Sequence, residues 1–323
     1  MRSGRPTRPV WFLMFDGVQS LDVTGPYEVF AAANEALRED VYAPRLVSLD
    51  GGQVASESGL AFHTERVPRA TPAGTTLVIP GGGGARRIAP GSPVAACAAR
   101  VGSRAERVVT VCTGTYVAAA AGLTRGRRVT THWAYAARLA ERFPDTQVEP
   151  DHLYVRDGEL WSSAGVTAGI DLALALVEHD HGGEVAQLIA RHLVMFLRRP
   201  GGQSQFATPV WSERATTGPI QTAQHRIDAA PADDHRLDLL ARQAGMSTRH
   251  FARCFAAETG LTPGAYVARV RVEAARRALE TTSATVEAVA RECGFGTAET
   301  LRRTFHRQLG VSPDDYRSRF RLA

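Results

Sequence analysis

The sequence predicts an α/β domain, a parallel sheet flanked by helices, followed by an all-α domain with two helix-turn-helix units. Three observations carry this expectation. Short apolar runs alternate with helix-period segments over roughly residues 10–197. Beyond Pro231 every segment has helical periodicity. Within that tail one pattern occurs twice. A chain of 323 residues suits two domains of ordinary size.

Taken in order, Val10–Phe15 reads as a buried first strand that stops at Asp16-Gly17, and Gly25–Leu37 as the helix after it. Leu77–Pro80 is a second buried strand ending in the run Gly81–Gly84, followed by a helix over Val94–Arg104. Val108–Val111 is a third strand that leads into a small-residue helix over Thr113–Ala121. Thr130–Trp133 closes another strand, Tyr135–Phe143 forms a helix, and Val166–Glu178 and Glu184–Leu197 form two amphipathic helices. Residues Arg198–Thr222 are rich in Gly, Pro, Ser, Thr and Gln and read as a linker. The expected boundaries are 8–197 for the first domain, 198–228 for the linker and 229–323 for the helical domain.

Composition narrows the function. The longest apolar runs are too short to span a bilayer, so no membrane association is expected. The basic Met1–Pro9 precedes an apolar run too short for the core of a signal peptide. Cys97, Cys112, Cys254 and Cys293 are widely spaced, without zinc-ligand spacing, which points to a reducing cytoplasm with neither metal nor cofactor. All 38 basic residues are arginine. From Arg236 onward there are 15 Arg against 9 acidic residues, whereas the preceding chain has 23 against 24. The excess positive charge therefore lies wholly in the tail, as contact with phosphates requires.

The tail repeat begins with Leu240-Ala-Arg-Gln-Ala-Gly-Met-Ser and again with Val289-Ala-Arg-Glu-Cys-Gly-Phe-Gly. Phe255, Gly260, Pro263 and Tyr266 are matched in spacing by Phe305, Gly310, Pro313 and Tyr316. The second copy has one extra residue at its turn. In the first copy, helix Leu237–Ala244 meets Gly245, whose tolerance of positive φ permits a tight turn, and Ser247 can cap the next helix. Phe251 and Phe255 then face inward, which leaves Arg249, His250 and Arg253 outside. In the second copy Leu301 and Phe305 face inward, with Ala298, Glu299, Arg302 and Arg303 outside. Such a helix fits a major groove, where arginine reads guanine edges or grips phosphate. The joining helix, Gly264–Glu280, is about 25 Å long and could hold the two units about one duplex turn apart.

These residues, over Asp234–Phe320, resemble the AraC/XylS family of transcription regulators, most specifically in "VARECGF…ETLRRTFHRQLGVSPDDYR". The resemblance implies DNA contacts from Arg249, Ala252 and Arg253 in the first unit. In the second unit it implies Ala298, Glu299, Arg302 and Arg303.

In the first domain, strand Val108–Val111, Cys112, a Thr-Gly turn and a small-residue helix have the layout of a nucleophile elbow. A helix N-terminus there would favour the thiolate. Backbone amides of Gly81–Gly84 could form an oxyanion hole. His132 is a candidate partner for the cysteine, and Asp22 and Glu28 are the nearest candidate acids. The blocks "FDGVQSLDVTGPYEVFAAAN", "VIPGGGG", "VCTGTYVAAAAGL", "TTHW" and "SSAGVTAGIDLALALV" resemble the class I glutamine amidotransferase-like, or PfpI-like, superfamily over about residues 8–197. That resemblance implies a flavodoxin-like sandwich. With the tail, and with "GGQSQF" at Gly201, the whole is similar to the GlxA-type regulators. It makes Cys112 the elbow residue and His132 its partner. It puts Asp22 where enzymes of the superfamily often hold a glutamate, a departure that favours sensing over turnover. The expected pocket is Cys112, His132, Asp22, Gly81, Gly82 and Thr113, at the strand ends where open α/β sheets bind ligands.

The expected function is a sequence-specific transcription regulator controlled by a small metabolite, and not an enzyme. The alternatives are a Cys-dependent hydrolase or amidase, and a redox sensor based on Cys112. The expected partners are double-stranded operator DNA, a small-molecule effector, RNA polymerase if the protein activates, and a second copy of the chain. The helices between Val166 and Leu197 would make the dimer contact. The expected location is the cytoplasm, at the nucleoid.

Overall fold

The computed structural model describes residues 7–195, 197, 203, 215 and 218–320. The chain divides into two compact units, residues 1–203 and 204–323. The first runs β1 (Arg8–Leu13), α1 (Ser20–Leu37), β2 (Tyr42–Ser48), β3 (Gly52–Ala55), β4 (Ala61–Arg66), β5 (Thr76–Ile79), α2 (Gly83–Arg87) and α3 (Pro93–Gly102). It continues through β6 (Arg107–Thr110), α4 (Gly114–Ala120), β7 (Arg128–Val129), a 3-10 turn (Trp133–Tyr135), α5 (Ala136–Arg142), β8 (Gln147–Val148), β9 (Tyr154–Asp157), β10 (Leu160–Ser163), α6 (Ala168–His181) and α7 (Gly183–His192).

Eight strands form one sheet in the order β3-β4-β2-β1-β5-β6-β10-β9. Every pair from β4 to β10 is parallel, and only the edge strands β3 and β9 run antiparallel. Central strands covered on both faces must be apolar throughout, and β5 and β6 are buried at every position. Helices flank this sheet: α1, α6 and α7 pack together, as do α2, α3 and α4. The chain leaves β1 for β2 on one side and returns to β5 on the other, so the sheet changes direction between β1 and β5. Loops leaving the C-terminal ends of such strands diverge and open a crevice. At the opposite end of the sheet, Arg107 forms a two-pronged pair with Asp180, at 2.8 and 2.9 Å, and the Tyr42 hydroxyl donates to the same carboxylate. This buried network ties β6 and β2 to the end of α6.

The second unit runs α8 (Gly218–Ala229), α9 (Leu237–Gln243), α10 (Thr248–Thr259), α11 (Pro263–Thr281), α12 (Val286–Glu292), α13 (Ala298–Leu309) and α14 (Pro313–Phe320). It has two cores. Ile220, Ile227, Leu240, Phe251, Phe255 and Tyr266 form one, and Leu279, Val289, Leu301, Phe305 and Tyr316 the other.

The structure corrects the linker. Gly218–Ala229, which overlaps the end of the span read as a linker, is a helix whose Ile220, Ala223 and Ile227 are buried. Their i, i+3, i+7 spacing is a helical stripe, masked in the sequence by the Gly, Pro and Thr around it. Gln203, also inside that span, belongs to the first unit. Two other bounds shift. The first helix starts five residues early, at Ser20, with Pro26 inside it, and α7 ends at His192 where Leu197 was expected. Among the described residues no helix is long and apolar enough to cross a membrane, and no cluster of His, Cys, Asp and Glu could hold a metal.

Candidate functional site

The crevice of the first unit is built on a strained turn. Cys112 follows β6 with φ 54°, left-handed for a residue other than glycine. Its surroundings over-determine that conformation. Its N–H donates to the Ser163 carbonyl at 3.1 Å, and its own carbonyl accepts from the Thr131 hydroxyl at 2.8 Å. Directly after it, α4 comes so close to β5 that a Cβ at Gly114 would lie 2.0 Å from the Ile79 carbonyl oxygen. The elbow expected from the sequence is thus formed.

Asp22, on the first turn of α1, is fully buried beside Cys112. Its Oδ2 accepts from the Gly81 amide at 2.8 Å, while its Oδ1 is buried without a hydrogen-bond partner. Burial, only partly offset by the Gly81 amide, pushes its pKa up to about 8, so it is a neutral acid at pH 7. A neutral carboxyl here accepts at Oδ2 and carries its O–H at Oδ1, beside Cys112.

Three expectations for the crevice meet a different setting in the fold, one through burial and two through hydrogen bonding. Cys112 is not biased toward thiolate. Burial, and then the neighbouring Asp22 carboxyl, push its pKa far above that of an ordinary thiol, and the Thr113 and Val166 amides offset this only in part. The glycine run is not an open oxyanion hole, because its four amides are taken. Gly81 donates to Asp22, Gly82 to the Thr113 hydroxyl, Gly83 to Glu57, and Gly84 to the Gly17 carbonyl. Its last two residues begin α2. His132 is not placed as a general base. Its Nδ1 accepts from the Ala134 amide at 3.2 Å and caps the 3-10 turn, which puts the ring proton on Nε2. Burial and then the Arg86 charge lower its pKa, so it stays neutral. Glu28 lies at the surface, away from the buried acid.

The structure adds members that sequence reasoning missed. Beyond the expected Thr113, whose Oγ1 accepts from the Gly82 amide at 2.9 Å and donates back to the Gly82 carbonyl at 3.1 Å, the added members are an aromatic group and Arg86. The His132 ring stacks near Trp133 and Tyr135, with centroids 5.3 and 5.6 Å apart, and the Arg86 guanidinium lies 4.2 Å over the Tyr135 ring. The sequence signal for the aromatic group was the run His132-Trp-Ala-Tyr135.

In the second unit the two copies match in detail. Ser247 caps α10 through the His250 amide, and Thr297 caps α13 through the Thr300 amide. Gly245 turns with φ 65°, and the extra residue of the second turn is Gly296, with φ 76°. Phe251, Phe255, Leu301 and Phe305 are all fully buried. The closing tyrosines meet the inward phenylalanines edge-on in both copies, Phe255 with Tyr266 at 5.3 Å and Phe305 with Tyr316 at 5.4 Å. Each copy also takes in the helix before it. The Tyr266 hydroxyl donates to Asp228 on α8, and the Tyr316 hydroxyl to Glu280 on α11.

On the outer faces Arg249, His250, Arg253, Glu299, Arg302 and Arg303 are exposed, and Ala252 and Ala298 are half-buried. Arg253 donates to His250 Nδ1 at 3.2 Å, and Arg302 pairs with Glu287 on α12 at 3.3 Å. α11 has 19 residues, or about 28 Å, slightly longer than expected.

Residues 8–179 match the DJ-1/PfpI family, and residues 240–319 match a helix-turn-helix domain. The HTH-type transcriptional regulator Rv1931c of Mycobacterium tuberculosis is 36% identical over 261 residues, covering 76% of this chain and 95% of that protein. The HTH-type transcriptional regulator GlxA of Rhizobium meliloti is 25% identical over 98% of this chain and 97% of its own length. An isonitrile hydratase of Pseudomonas putida is 37% identical over 185 residues, which is 57% of this chain and 77% of that enzyme.

Proposed function

Because this chain belongs to the DJ-1/PfpI family and joins that domain to an AraC-type helix-turn-helix tail as related transcription regulators do, we propose that it is a DNA-binding regulator whose first unit senses a small metabolite. The observation that carries the reading is the paired architecture of the tail. Two capped helices with matched buried cores turn Arg249, His250 and Arg253, and then Glu299, Arg302 and Arg303, to solvent on a strongly basic unit. Ala252 and Ala298, on the same helices, would approach the bases without hydrogen bonds and read shape or thymine methyls.

We assign the sensing domain to residues 8–203 and the DNA-binding domain to 218–320. The effector would enter the crevice around Cys112, Asp22, Thr113, Gly81, Gly82 and His132, and bias the DNA-competent population. A sensor is favoured over an enzyme by the same geometry: a thiol kept protonated, a histidine used as a cap, and glycine amides already paired. The hydratase relative matches only 57% of this chain, whereas the regulator GlxA matches 98% of it.

The protein would act in the cytoplasm at the nucleoid. It would bind operator DNA as a homodimer joined through α6 and α7, where Leu188 is 55% exposed, and touch RNA polymerase where it activates. Light scattering of the purified chain tests the dimer. Chromatin immunoprecipitation with sequencing tests the main reading, comparing wild type with an Arg253→Ala/Arg303→Ala double variant. Discrete peaks lost in the variant are expected. Absence of wild-type peaks, together with turnover of a small substrate that needs Cys112, would overturn it in favour of an enzyme.

A further inference from the structure

The last residue of the first unit, Gln203, is 3% exposed and saturated with hydrogen bonds. Its Oε1 accepts from the Trp133 amide at 2.8 Å, and its own amide donates to the Asp151 carbonyl at 2.8 Å. Its Nε2 lies 2.9 Å from the Thr131 carbonyl, 3.0 Å from the Pro150 carbonyl, and 3.1 Å from both Thr130 Oγ1 and the His152 carbonyl. A primary amide has two N–H donors, so four acceptors share them.

Two of those acceptors lead back to the elbow. Thr131, whose carbonyl holds Gln203, sends its hydroxyl to the Cys112 carbonyl at 2.8 Å. Thr130, whose hydroxyl holds Gln203, accepts at its carbonyl from Thr115 Oγ1 at 3.0 Å, on the first turn of α4. The Trp133 amide held by Oε1 starts the turn that His132 caps. The residue at which the chain leaves for the second unit is thus two hydrogen bonds from the elbow backbone by one route, and it touches the His132 turn by another.

We propose that Gln203 is the positioning residue that couples the occupancy of the elbow site to the DNA-binding unit. The proposal rests on the regulator reading above. On this proposal Gln203 exchanges between a seated and an unseated state, and two acceptors of the seated one, on Thr130 and Thr131, are tied to the elbow. A ligand that moves the Cys112 carbonyl or the His132 turn removes acceptors from Nε2 and shifts the balance. Unseating Gln203 in turn releases Thr131 and loosens the elbow, as reciprocity between coupled sites demands. Spatial continuity alone does not prove coupling, so the test is a mutant cycle.

The full-length chain is used throughout. Gln203→Glu is isosteric but turns a carboxylate toward four oxygen acceptors. Gln203→Met keeps the volume without donors, and serves if the Glu variant fails to fold. Thr131→Val removes the hydroxyl from the Cys112 carbonyl while keeping its own carbonyl, and Thr131→Ser restores the hydroxyl. Amide hydrogen exchange at residues 112–115 and the Kd for an operator fragment recovered by footprinting are measured. The Gln203 variants should speed exchange at 112–115, and each of Gln203→Met and Thr131→Val should change Kd by about fivefold or more. The double variant should do no more than the larger single change, and Thr131→Ser should behave as wild type. Exchange that rises only at 130–133, or Kd changes that multiply, would reduce Gln203 to a structural plug and overturn the proposal. If wild type binds no discrete site, the regulator reading fails by itself. The exchange arm then still decides whether Gln203 is tied to the elbow.

Discussion

Asp22 and Cys112, 90 residues apart in sequence, are buried side by side at the C-terminal ends of β1 and β6, and burial raises the pKa of each. The arrangement has a pH consequence. In the unfolded chain Asp22 titrates near 3.8, and in the fold near 8. Between those values the folded state binds a proton that the unfolded state has lost. Stability from this group is therefore full below about pH 4, falls as pH rises, and levels off above about pH 8. Asn at this position has the hydrogen-bonding pattern of the neutral acid, one oxygen for the Gly81 amide and a donor at Oδ1. Asp22→Asn should therefore flatten the pH dependence and stabilise the first unit at pH 8 by about 1–3 kcal/mol. Thermal melts of both proteins at pH 5 and pH 8 check it. Equal pH slopes would mean that Asp22 is ionised in the fold.

Gly114 tests the elbow from the other side. A Cβ there would stand 2.0 Å from the Ile79 carbonyl oxygen and 2.9 Å from that of Pro80, both on the backbone. Neither atom is the end of a flexible side chain, so α4 must move away from β5. Gly114→Ala should cost more than about 3 kcal/mol and disrupt the first unit. The second unit should keep its helical signal, since it has its own cores. Calorimetry of the full chain would show the first transition lost and the second kept.

Much of this was legible in the sequence, because the legible parts are periodic or locally punctuated. Leu301 and Phe305, or Phe251 and Phe255, have to face inward once a helix is granted, and Ser247 has to cap it. The strand–Cys112–Gly114 layout is equally local. What escaped was non-local. Strand β2 carries Pro44 and Arg45 at its middle, β9 and β10 are short and mixed in polarity, and all three exist because neighbouring strands pair with them. The state of the Cys112 thiol also escaped, because a helix N-terminus is visible in sequence while the burial that overrides it is not. The four glycine amides looked free for the same reason: their acceptors come from Asp22, Thr113, Glu57 and Gly17, scattered over the chain.

The closing tyrosines allow a comparison within one molecule. The Tyr266 hydroxyl donates to Asp228 at 2.7 Å in a part-buried setting. Tyr316 Oη donates to Glu280 and accepts from Arg276 Nε at 3.0 Å, and Arg276 is itself buried against Glu273. Removing the hydroxyl takes a bond from Asp228 in the first copy, and from Glu280 and the buried Arg276 cation in the second. Tyr266→Phe should cost about 1 kcal/mol and Tyr316→Phe about 2–3 kcal/mol. Urea unfolding of the two variants orders them, and the reverse order would show that the Arg276 network is solvated.

Arg302 and Glu287 make the final prediction, because on the proposed DNA-contact face their ion pair would compete with DNA. Both side chains are exposed, at 44% and 57%, so the pair adds little to stability. In the free protein it nevertheless holds the Arg302 guanidinium against α12, and a phosphate or guanine must take it away. Glu287 also places a negative charge beside the surface proposed to meet DNA. Glu287→Ala removes both obstacles, so it should tighten operator binding severalfold at low salt while leaving the melting temperature nearly unchanged. Arg302→Ala should weaken binding, and if its contact is a phosphate the slope of log K against log salt should fall by about 1. A contact to a base would instead relax sequence preference at one position and leave most of the slope intact. Fluorescence anisotropy titrations of the three proteins over a salt series distinguish the two. Weaker binding in Glu287→Ala would mean that the ion pair presents Arg302 to DNA in its productive rotamer.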